Sequence, residues 1–143
     1  MYWYLNNDES KILSYNDLYY FYADDKVNSV TAKCGTDTVT KGGIITHITN
    51  ISDGNNKTYV FEYTVPDGCK IVFAGIVASS SSEPTLTNYE YIRGGSSDTA
   101  KTYRYSWTKT DAASITWNVR PVLKYSDEQG KIVTIDTADV QKY

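Results

Sequence analysis

Ser114-Ile115-Thr116-Trp117-Asn118-Val119-Arg120-Pro121-Val122-Leu123-Lys124-Tyr125-Ser126-Asp127-Glu128-Gln129-Gly130-Lys131-Ile132-Val133-Thr134-Ile135 is the stretch that decides the fold. Ile115, Trp117, Val119, Pro121, Leu123 and Tyr125 fall on alternate positions, with Thr116, Asn118, Arg120 and Lys124 between them. A period of two marks a strand buried on one side. Asp127 and Gly130 bracket a turn, and the residues from Lys131 to Ile135 are mostly β-branched. A long closing hairpin of an antiparallel sandwich is therefore expected.

Working back from it, Tyr103, Tyr105 and Trp107 alternate with Arg104, Ser106 and Lys109, as in a strand facing that hairpin, and residues 110–113 turn into it. Tyr59, Phe61, Tyr63 and Val65 alternate with Val60, Glu62 and Thr64 in a second half-buried strand. Val65-Pro66-Asp67-Gly68 should turn tightly, with Pro66 at the first corner and Gly68 left-handed. Ile71 to Val77 is apolar throughout and reads as a central strand covered on both sides, where Gly75 implies a bulge or a large ring packed close. Further upstream, Ile44, Thr46 and Ile48 share one face and Ile45, His47, Thr49 and Ile51 the other, before a turn at residues 52–56. Residues 78–88 look like a long surface loop, 89–93 a short strand or helical turn, and 94–98 another loop. The sum is about six or seven strands in about 100 residues, the pattern of an immunoglobulin- or fibronectin-like all-β sandwich over residues 43–143. The Cys-Trp-Cys spacing of antibody domains is missing, so the pattern supports the architecture alone.

Residues 1–35 read differently. Tyr15, Tyr19, Phe21, Val27, Val30 and Ala32 are spaced as short strands between Asn- and Asp-rich turns, a marginal unit by itself. A polar, Gly-containing connector over residues 36–43 separates this small β-appendage from the sandwich.

Composition narrows the function. The chain has 143 residues, a formal charge of −3, and 14 Tyr against 3 Phe and 1 Met. Tyr suits a pleated, half-wet surface. The charge argues against nucleic acid as a partner, and no apolar run suggests membrane insertion. The first residues lack the pattern of a signal peptide. Cys34 and Cys69 have no metal-ligand spacing; two packed thiols are expected, with a single bridge as the alternative.

Trp3, Ser14-Tyr15-Asn16, Tyr19-Tyr20-Phe21-Tyr22 and Val30-Thr31-Ala32 resemble the closing strands of β-repeats related to the internalin B-repeat, found in large Gram-positive surface proteins. Tyr63-Thr64-Val65-Pro66-Asp67-Gly68, residues 73–77, Tyr103-Arg104-Tyr105-Ser106-Trp107 and residues 117–127 are similar to a β-sandwich module that follows such repeats in giant clostridial surface proteins. The resemblance implies a segment of a larger secreted protein at the cell surface, with neighbouring modules of the same polypeptide as partners. It implies no catalysis and no cofactor. Such envelope sandwiches in some cases carry a Lys–Asn amide crosslink, for which Asn118 is the candidate here.

Candidate chemistry is sparse. His47 is the sole histidine and has neither a nucleophile-elbow Ser nor a ligand cluster to work with, so a solvent-facing strand position is expected. Asp53-Gly54-Asn55-Asn56 lacks the acidic spacing of a calcium loop. Glu62 with Glu83 or Glu90 could be proposed as a hydrolase pair, but a strand's polar face and a loop explain them. Trp107 and Trp117 fall on apolar faces and should be core. Tyr89, Tyr91 and Arg93, beside the Ser-rich loop, are the candidate ligand-binding residues. The expected function is a non-catalytic extracellular spacer or adhesion bead. A carbohydrate-binding module, with a host or microbial glycan or protein as ligand, is the alternative, and a hydrolase the weaker one.

Overall fold

The structure, a computed structural model, describes residues 2–5, 8–14, 30–33, 42–110, 112 and 114–143. Strands β1 (Tyr2–Leu5), β2 (Asp8–Ser14) and β3 (Val30–Lys33) form an antiparallel sheet in the order β2-β1-β3. Cys34, the aromatic run at 19–22 and the connector at 36–41 lie outside the described residues.

From Ile44 onward every named element is a strand. They are β4 (Ile44–Asp53), β5 (Asn56–Thr64), β6 (Lys70–Ser79), β7 (Tyr91–Ser97), β8 (Thr102–Lys109), β9 (Asn118–Ser126), β10 (Ile132–Ile135) and β11 (Gln141–Lys142). One sheet has the order β4-β5-β8. The other has β10-β9-β6-β7, with β11 also pairing β9, and all pairs are antiparallel. The all-β sandwich read from the sequence is what the chain adopts.

Alternation supplies the core. Tyr59, Phe61 and Tyr63 point inward from β5 and are fully buried. They meet Ile71, Ala74, Ile76 and Ala78 of β6 and Val119, Leu123 and Tyr125 of β9. The Tyr63 hydroxyl crosses the gap and donates to the Gly75 carbonyl, a polar tie between the sheets. Burying a ring of this size stabilises by about 1.5–3 kcal/mol, and its hydroxyl needs a partner once inside.

The exceptions to alternation have local causes. β9 begins at Asn118, not at Ile115: Ile115 N–H closes a turn onto Ala112 O, residues 115–117 are irregular, and Ile115 is 43% exposed. Pro121 sits in the middle of β9, opposite the break between β10 and β11. Proline cannot donate to a ladder, so the edge partner parts from β9 where no bond is lost. On β6 the register shifts at Val72, which bulges out to 45% exposure and lets Ile71 and Ala74 both reach the core. That, and not Gly75, is the bulge. Gly75 serves a close backbone approach: a Cβ there would lie 2.1 Å from Arg93 O and 2.5 Å from Gly94 Cα. Packing is against backbone, where a ring was expected.

For the same reason Gly94-Gly95-Ser96-Ser97 is strand β7 and not a loop. Gly94 pairs Gly75, and Gly95 leaves room for the Tyr103 ring. β4 also shifts register between His47 and Thr49, so its two expected faces exchange partway along. The β5–β6 turn is closed by Cys69 N–H to Pro66 O with Gly68 at φ 79°, which puts Asp67, one residue past Pro66, at the first corner.

Candidate functional site

Tyr91 opens β7 and pairs with Ala78, so its side chain points inward. Its ring lies 5.5 Å from that of Trp117 and 5.9 Å from that of Trp107, and the two indoles meet edge-on at 5.8 Å. Tyr59 adds a ring at 5.9 Å from Trp107, and Tyr143 stands edge-on to Tyr59. Trp107 and Trp117 are core, as expected. Tyr91, expected as an exposed platform, is half-buried in this cluster because its strand position faces the core. Tyr89 does lie at the surface, 42% exposed.

Cations cap the cluster. Arg93, two residues along the same face, holds its guanidinium 5.6 Å from the Tyr91 ring centre. Lys109 Nζ is 5.5 Å from both Tyr91 and Trp117. Such contacts stabilise by about 0.5–1 kcal/mol each where water still reaches them. Across the β5–β8 ladder Lys109 stands opposite Lys57, a like-charge pair that separates its heads. Lys57 Nζ donates to Ile115 O at 2.9 Å and Tyr143 O at 2.7 Å, tying the segment before β9 to residue 143. Lys57 and Lys109 were missed as site residues. The signal was present: Lys109 follows Trp107 by two positions, which puts it on the apolar face and not among the polar residues with which it was grouped.

Among the described residues the ion pairs are Lys101–Asp67, Arg104–Glu62 at 3.1 Å and Lys142–Glu83 at 3.2 Å. None of them takes Arg93 or Lys109. Trp117 Nε1 is the one buried side-chain polar atom among those residues without a hydrogen-bond partner. Burial pushes the phenol of Tyr105 up, and the nearby Arg93 charge pulls it partly back.

The Ser run has a structural use. Glu90 accepts from Ser80 N–H at 2.8 Å, from the Ser79 and Ser80 hydroxyls at 2.9 Å, and from Ser81. These bonds hold the Glu90 carboxyl below its ordinary range, the Ser80 backbone bond first among them. Every carboxylate considered for hydrolysis is thus engaged: Glu62 by Arg104, Glu83 by Lys142, Glu90 by serines. His47 is exposed, with Nε2 2.8 Å from Asn50 Oδ1 and its ring tilted on Phe61. No group of three or more metal-ligating side chains occurs among the described residues.

A polar cleft of about 500 Å³ lies beside the β10–β11 break, lined by Glu83, Arg120, Asp139 and Lys142 among others. Arg120 is already committed there, donating to Pro84 O and Ala138 O at 2.8 and 2.9 Å. Asn118, the crosslink candidate, opens β9 and does not sit at its centre; its cross-strand partner is Lys142, whose ammonium pairs with Glu83. Cys69 is half-buried, and its thiol is pushed up by burial and by Glu128, Asp127 and Asp67. Comparison of the chain with family models, curated proteins and solved structures found no match.

Proposed function

We propose that the chain is a non-catalytic module of a large Gram-positive surface protein, a bead that spaces its neighbours outside the cell. The observation that carries this reading is the course of the chain through the sandwich. β4 starts beside Thr64, at the pole with the Pro66–Gly68 turn, and Gly43 N–H there donates to the Tyr125 hydroxyl. Residue 143 exchanges backbone bonds with Trp117 at the other pole, beside the β4–β5 turn. Strands of ten residues separate the two, about 33 Å at about 3.3 Å per residue.

The strand order supports an immunoglobulin- or fibronectin-like sandwich. Counted from Ile44, the sheets run first-second-fifth and fourth-third-sixth-seventh. Spin labels at residues 42, where an added side chain meets nothing within 4 Å, and 143 test the pole-to-pole course. A separation above about 30 Å is expected from the strand length, and one below about 20 Å would end the bead reading.

The second reading, a carbohydrate-binding bead, is favoured by one observation: a half-buried Tyr91 ring beside two cations that no carboxylate among the described residues pairs.

A further inference from the structure

We infer that the rim between β7 and β8 binds a saccharide carrying an anionic group, a carboxylate or a sulfate, on its ring. This rests on the carbohydrate-binding reading and names the ligand class. Arg93 and Lys109 reach the same Tyr91 ring from the two edge strands, at 5.6 and 5.5 Å from its centre. Acidic residues outnumber basic ones in this chain, 17 to 14. Arg104, on the same strand as Lys109, has taken Glu62. Two cations without a carboxylate partner, set about one aromatic ring, form a receptor for an anion attached to something that lies against rings.

Independent support comes from Trp117. Its indole N–H is buried without an acceptor, while its ring touches Tyr91 and the Lys109 ammonium. An orphan donor of this kind costs about 1–3 kcal/mol unless an oxygen reaches it. A polyhydroxylated ligand brings such oxygens together with its charge. An acidic peptide would match the charge but has no use for the rings. Arg93 and Lys109 donate only to the neighbouring carbonyls Ile92 O and Thr110 O, at 2.8 and 3.5 Å, whereas in the Arg120 cleft Lys142 already holds the Glu83 carboxylate.

The test is calorimetric titration of the full chain with tri-galacturonate, lactose 3′-sulfate, neutral lactose and a hexaglutamate peptide, with the Trp117 indole N–H signal followed by NMR. Binding of at least one acidic sugar is expected, about tenfold or more tighter than lactose, with the Trp117 signal shifted. Whichever acidic sugar binds identifies the source of the charge. R93Q and K109Q should each weaken that binding about tenfold, and since Arg93 is exposed, R93Q should stay folded and melt within about 8 °C of the parent. Lactose bound as tightly as the acidic sugars would overturn the anion inference and leave the sugar reading standing. Silence of all three sugars would overturn both. Equal binding of hexaglutamate, or acidic-sugar binding unchanged in R93Q and K109Q, would place recognition elsewhere and overturn the inference.

Discussion

Gly75→Ala probes the contact on which the second sheet depends. The added methyl would stand 2.1 Å from Arg93 O and 2.5 Å from Gly94 Cα, both backbone atoms of the partner strand. Ordinary contact starts near 3.4 Å, so β7 must move by about 1 Å or β6 must twist. A flexible side chain could swing aside; a paired backbone cannot without losing ladder bonds. Overpacking typically costs about 1–3 kcal/mol, and this site belongs at or above the upper end because both obstacles are main chain. For a domain of about 100 residues, about 3 kcal/mol lowers Tm by roughly 12–24 °C. Thermal and urea melts followed by Trp fluorescence read this directly, since Trp107 and Trp117 sit in the core. Gly42→Ala is the control: nothing lies within 4 Å of its added Cβ, and its effect should stay within about 0.5 kcal/mol. A Gly75 variant as stable as the Gly42 variant would refute the close β6–β7 approach.

Tyr63→Phe removes the hydroxyl tie to Gly75 O and should cost about 1–2 kcal/mol in urea melts, with an unchanged m-value. The phenols of Tyr59 and Tyr63 are raised above 10, chiefly by burial and further by Tyr143 on Tyr59 and by Tyr105 and Tyr103 on Tyr63. Their contribution is therefore complete below about pH 10, the unfolded value, and is lost as pH rises through the folded values, which alkaline melts will show as a falling Tm. Glu90 is shifted the other way. Its serine bonds persist above about pH 4.3 and fail as pH drops through its lowered folded value, so Ser80 amide exchange should quicken only in that acid window. Glu90→Gln should show the same fast exchange at neutral pH. The Cys69 thiol, raised by burial and three carboxylates, should alkylate several-fold more slowly at neutral pH than a free cysteine in a peptide.

Tyr59-Val60-Phe61-Glu62-Tyr63 gave its strand and its buried face, because uninterrupted alternation maps directly onto one pleat. Gly94-Gly95-Ser96-Ser97 did not: its composition is that of a loop, and only the Gly75 backbone and the Tyr103 ring across from it make a strand the better state. The bulge at Val72 was equally hidden, since an all-apolar run has no period to break. At the site, the depth of Tyr91 was not legible, because it depends on its pairing with Ala78. Lys109 was legible, since it lies two residues past Trp107, which the alternation already places on the inward face. The serine run was legible as composition and illegible as chemistry, because Glu90 lies eight residues beyond its last member.

Force spectroscopy compares two directions of loading on one molecule. Held at residues 43 and 143, β4 and the β10–β11 edge are pulled along their length from opposite poles, and the perpendicular ladder bonds share the load. Held at residues 43 and 129, both handles sit at one pole and the strands can unzip a pair at a time. Expected is a single rupture at clearly higher force in the first geometry than in the second. Equal forces, or a gradual extension between residues 43 and 143, would contradict a bead built to transmit tension from pole to pole.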